Sequence, residues 1–76
     1  MEKKVIGFAE FRVIEDRGCN IRYTRFIGTK KQCADWIKKH CELSQIGTYV
    51  PIETNGDNSN WDYSIMDSRG YFVDVE

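Results

Sequence analysis

The chain has one proline, one histidine, almost no net charge, and no apolar run near the ~20 residues of a membrane span. Each shortage removes a class of protein. Val5–Ala9 is too short for a secretory signal core and charge follows it at once, so a cytoplasmic protein without membrane contact is expected. The three cysteines (Cys19, Cys33 and Cys41) are an odd set, which argues against a disulfide scaffold and for reduced thiols. A net charge of −1 lacks the positive excess of a dedicated nucleic-acid binder. The six glycines are dispersed and form no phosphate loop.

The scarcity of histidine bears on catalysis. His40 is the only histidine base, and no partner residues mark a nucleophilic triad around it. A metal site from Cys33, His40 and Cys41 fails on distance: seven helical residues separate Cys33 from His40 by roughly 10 Å, far beyond shared zinc ligation. Asp62, Asp74 and Glu76 fall on an open sheet surface and read as an acidic patch rather than acid–base machinery. A non-enzymatic protein with no metal and no cofactor is expected.

Seventy-six residues make one domain, spanning the whole of 1–76. Such a chain buries only about 60% of its unfolded surface, so the core is thin. Ten aromatic side chains offset this. Little space is left for a supported catalytic cleft, which favours a binding module. Charge is divided along the chain: residues 1–39 hold ten of the eleven Lys/Arg, while residues 42–76 hold Arg69 alone against seven acids. This split predicts a dipolar molecule, suited to meeting a charged partner.

Two similar turn signals, Glu15-Asp16-Arg17-Gly18 and Asp67-Ser68-Arg69-Gly70, lie between runs rich in β-branched and aromatic residues. The first joins strands predicted at residues 5–14 and 21–27. The second joins strands at 61–66 and 71–75. Thr29-Lys30-Lys31-Gln32 fits a capping box, and Cys33, Trp36, Ile37 and Cys41 recur at helical spacing, predicting a helix from Lys30 to about Cys41. A further strand is expected at residues 48–53, at an edge or interrupted, because Pro51 lacks an N–H. The fold class is therefore α+β, ordered ββαβββ, with one helix on one face of an antiparallel sheet.

If each turn closes a three-residue loop at its glycine, the faces follow. Tyr63, Ile65, Val73 and Val75 point toward the helix, as do Val13 with Ile21, Phe11 with Tyr23, Ala9 with Arg25 and Gly7 with Ile27. The outer face pairs Ile14 with Asn20, Arg12 with Arg22, Glu10 with Thr24 and Phe8 with Phe26. It also pairs Met66 with Phe72, Ser64 with Asp74 and Asp62 with Glu76. Like charges oppose each other there, and Phe8, Phe26, Met66 and Phe72 form an apolar group beyond the helix's reach.

In size and ββαβββ layout the chain resembles small phage or mobile-element proteins that block host machinery, including anti-CRISPR proteins. The resemblance covers architecture alone, shares no motif and transfers no residues. The expectation is a protein-binding module, an inhibitor of host machinery, docking through Phe8, Phe26, Met66 and Phe72. Arg12, Arg22, Asp62, Asp74 and Glu76 would orient a partner such as a nucleic-acid-binding host complex, or a second copy of the chain. The competing expectation is single-stranded nucleic-acid binding, with Phe8 and Phe26 stacking bases and Arg12 and Arg22 holding phosphates.

Overall fold

The structure, a computed structural model, describes residues 10–53 and 57–75. Strands β1 (Phe11–Gly18) and β2 (Ile21–Gly28) lead into helix α1 (Lys30–His40). There follow β3 (Cys41–Leu43), β4 (Tyr49–Pro51), a 3₁₀ turn (Asp57–Asn60), β5 (Asp62–Met66) and β6 (Phe72–Val73). All strand pairings are antiparallel, in the order β2-β1-β5-β4-β3, with β6 also beside β5. This is the ββαβββ arrangement of an α+β fold, with the short strand β3 added directly after the helix.

The helix begins where its capping box places it. Thr29 Oγ1 accepts from the Gln32 N–H at 3.1 Å, and Gln32 Oε1 accepts from the Thr29 N–H at 2.9 Å. Both otherwise orphaned donors are thereby satisfied. A Cβ on Gly28 would lie 2.5 Å from Gln32 Oε1, so the glycine leaves room for the returning cap. Lys38, Lys39 and His40 in the last turn suit the negative end of the macrodipole. Cys33, Ala34 and Ile37 face the sheet and join Val13, Cys41 and Ile65 in the core.

The C-terminal hairpin has the register expected from its turn, with Ile65 opposite Val73 and Met66 opposite Phe72. Asp67 accepts from the backbone N–H of Tyr71 at 3.0 Å and of Arg69 at 2.9 Å. The Tyr71 bond foremost holds its carboxyl below the usual range. Gly70 takes the left-handed position, φ +91. Pro51 pairs only with Cys41 of β3, and β4 meets β5 at a single position, Tyr49 opposite Tyr63. Strand β4 is thus interrupted on the side where a proline cannot donate.

The N-terminal hairpin departs from expectation. Strand β1 runs through Gly18, and the chain reverses at Cys19-Asn20, whose φ angles are 53 and 65. Two left-handed central residues match the twist of a hairpin. The longer strands set Asp16 opposite Arg22, where the expected register opposed Arg12 to Arg22. An attractive cross-strand pair thus replaces a repulsive one. Arg12 instead lies between Ile27 and Met66. A bulge at Arg25 lets Val13 face Phe26 while Ile14 faces Thr24, and this turns Phe26 onto the helix side. Phe26 stacks on Trp36 at 6.5 Å between ring centroids and packs against the core. The expected pairing of Phe26 with Phe8 on the outer face is corrected for Phe26. Gly7, Phe8, Ala9 and Glu76 lie outside the described residues.

Burial separates the three thiols. Cys41 is pushed up to about 11, first by burial and then by the charge of Glu15, and burial also raises Cys33. Cys19 is exposed in the hairpin turn. Brief iodoacetamide treatment of the native protein near pH 8 should therefore label Cys19 and spare the other two, whereas denatured protein labels at all three. Peptide mass mapping reads the result; equal labelling of Cys33 or Cys41 in the native state would contradict this packing.

Candidate functional site

On the helix side of the sheet lies a carboxylate with no access to solvent. Glu15 is 0% exposed. Alternation along β1 puts it on the same face as Phe11 and Val13, and it stands opposite Tyr23 on one neighbour and Tyr63 on the other. A buried charge is tolerable only when paired and hydrogen-bonded. Glu15 Oε1 accepts from the Tyr63 hydroxyl at 2.7 Å and from Arg25 Nη1 at 3.0 Å. Its Oε2 accepts from Arg17 Nε.

Both arginines are delivered by irregularities in the ladder, Arg25 by the β2 bulge and Arg17 by the break between Asp16 and Gly18. The Arg17 guanidinium is also sandwiched, 4.4 Å from the Tyr23 ring centroid and 3.9 Å from that of Trp61. Burial pushes the Tyr63 hydroxyl up, and its bond to Glu15 adds to the effect.

Beside this cluster is a cleft of about 640 Å3. Glu15, Arg25 and Tyr63 line it from the sheet, Trp36, Lys39 and His40 from the helix, and Pro51, Ile52, Glu53 and Trp61 from the β4–β5 region. The His40 ring lies 4.4 Å from that of Trp36, and Cys33 and Cys41 are buried in the core. In the sequence Glu15 falls within a turn signal, and this cluster is not among the expected site residues. Its signal was the Phe11-Val13-Glu15 alternation together with Arg25, an inward arginine without an evident partner.

The opposite face gathers most of the residues expected there. Arg12, Asp16, Arg22, Asp62, Met66 and Phe72 share it by register. Arg22 Nε lies 3.3 Å from Asp16 Oδ2, and its guanidinium carbon is 5.7 Å from the Phe72 ring centroid. Asp62 faces Asp16 across the strands. Burial first, and then the charge of Asp16, raises the Asp62 carboxyl above its ordinary value. Asp16, Asp62 and Asp74 line a notch of about 300 Å3, together with Thr48, Tyr49 and Ser64. Phe72 is 52% exposed and Ile27 55% exposed.

No protein-family model, curated protein or solved structure matches this chain. Among the described residues no helix is long and apolar enough to cross a membrane.

Two expectations follow from these clusters. Tyr63→Phe removes a bond to a charged acceptor and should cost about 2 kcal/mol of stability; a loss in urea unfolding below about 0.5 kcal/mol would count against the Glu15 cluster. Asp62→Asn relieves a like-charge pair and should stabilise by about 0.5 kcal/mol at neutral pH. Because the folded carboxyl is raised, ionisation of Asp62 is a cost to the native state. The gain from Asn must fade as pH falls through the raised value and vanish below the ordinary aspartate range. Thermal melts across pH test this, and a gain that persists in acid would refute it.

Proposed function

We propose that the protein is a small non-enzymatic binding module, acting in the cytoplasm, that docks another protein through the outer face of its sheet. The supporting observation is Asp62, held against Asp16 beside the half-exposed Phe72 on the face opposite the helix. Two carboxylates facing each other weaken the isolated molecule. A cation from a partner would relieve that repulsion, so the site carries its own preference for a basic surface. Phe72, Ile27 and Met66 supply apolar contact area next to the charges. The partner is thus a protein with a basic groove, as nucleic-acid-binding complexes have. An inhibitor of such a complex, as in the small phage and mobile-element proteins of similar layout, is the use that best fits a dipolar chain of this size.

Direct single-strand binding is the weaker reading. Arg12 and Arg22 share the face, but Arg22 is paired with Asp16 and three carboxylates share the notch, which disfavours a phosphate backbone.

Capture of a partner on immobilised protein is expected to be lost on Phe72→Asp and on paired Asp62→Lys and Asp74→Lys, and kept by Lys39→Gln in the cleft. Association should also slow as salt rises. Capture indifferent to the outer-face variants would remove this reading. A salt-sensitive mobility shift with oligonucleotide, abolished by Arg12→Ala plus Arg22→Ala, would replace it with the nucleic-acid one. A dimer in light scattering at ~100 µM that Phe72→Asp dissolves would identify the partner as a second copy.

A further inference from the structure

The sheet face under α1 is only partly covered, and its open part gathers the chain's scarcest residues. Both tryptophans, the single histidine and the single proline line the cleft beside Glu15. We infer that this cleft is a second binding site, taking a flat aromatic ring that carries one acidic group, such as a mononucleotide or an aromatic carboxylate. Its volume of about 640 Å3 lies within the range of small-molecule sites.

The ring subsite is built from Trp36 on α1 and Trp61 just before β5. Arg17 lies 3.9 Å from the Trp61 ring centroid and fixes that indole. Trp36 is fixed by ring contacts instead, with Phe26 at 6.5 Å, His40 at 4.4 Å and Tyr63 at 5.9 Å. Both indoles are therefore ordered before a ligand arrives, which lowers the entropic cost of stacking on them.

The anion subsite is Arg25 with Lys39. Glu15 holds Arg25 through Nη1 at 3.0 Å, yet the arginine side chain remains 46% exposed. A guanidinium has five N–H donors, so several remain for a ligand oxygen. Lys39 is exposed and has no ion-pair partner among the described residues. Glu15 is already answered by Tyr63 and two arginines, so it clamps Arg25 in place. Glu53 shares the cleft and limits its positive charge, which suits one acidic group better than a strand of phosphates.

Calorimetry on the whole chain at low salt tests the assignment, with the two indole N–H resonances as an independent readout. The probes are AMP, indole-3-acetate, adenosine and ribose 5-phosphate. AMP or indole-3-acetate should bind and move both indole resonances, while adenosine and ribose 5-phosphate bind about tenfold more weakly or worse. Whichever of the first two binds tighter identifies the source as phosphate or carboxylate. Lys39→Gln changes an exposed side chain and should weaken binding about tenfold without altering the melting temperature. Asp62→Lys, on the far face, should leave it unchanged. Still indole resonances at millimolar AMP and indole-3-acetate would overturn the inference. So would affinity for ribose 5-phosphate or adenosine equal to that of the tighter of AMP and indole-3-acetate, or binding indifferent to Lys39→Gln.

Discussion

A glutamate carboxylate sealed beneath a thin core imposes the strictest demand on this fold. Glu15 has no water to solvate it, and an unpaired charge there would cost several kcal/mol, a large share of what a small domain possesses. Its three donors come from different places: Arg17 from the same strand, Arg25 from β2 and Tyr63 from β5. Only one alignment of the three strands brings them together. A shift of one residue in either neighbour would carry Arg25 or Tyr63 to the other side of the sheet. The cluster thus acts as a register pin. Whether it adds net stability over a well-packed apolar group is a separate matter, since buried ion pairs often serve specificity more than strength.

The same cluster divides the molecule into two faces of different electrostatic character. Beneath the helix, Val13, Cys33, Ile37 and Ile65 form a dry core at one end, and the ion pairs with their aromatic neighbours occupy the other. The helix, eleven residues long, reaches over the first and stops at the edge of the second. The outer face holds its charges near the surface, where Asp16 is shared between Arg22 and the repulsion of Asp62. One side of the sheet has resolved its electrostatics internally. The other leaves two carboxylates, Asp16 and Asp62, facing each other across neighbouring strands.

Local signals made much of the fold legible. The Thr29–Gln32 capping box and the Asp67-to-Gly70 turn each satisfy their own backbone donors within a few residues, so composition nearby suffices to find them. The first hairpin could not be read in that way. The local signal is Glu15-Asp16-Arg17-Gly18, yet the chain reverses at Cys19-Asn20, and the register this sets is the one in which Glu15 meets Tyr63, 48 residues away. Strand β3 has three residues and exists through its pairing with β4 rather than through propensity. Among the expected surface residues, Arg22 keeps its face because the register differs by an even number of positions. Phe26 changes face because the Arg25 bulge shifts the parity. The Glu15 cleft draws on five separate segments, a convergence that periodicity along the chain does not encode.

The bulge at Arg25 has a further effect on how the molecule behaves in a crowd. Strand β2 is the terminal strand of the described sheet and, at eight residues, the longest one open to recruitment by a neighbouring chain. An uninterrupted margin of that length is a template for fibril growth. Here the ladder is broken partway, between the residues that face Val13 and Ile14. The irregularity that completes the pairing of Glu15 therefore also makes this margin a poorer template for strand addition.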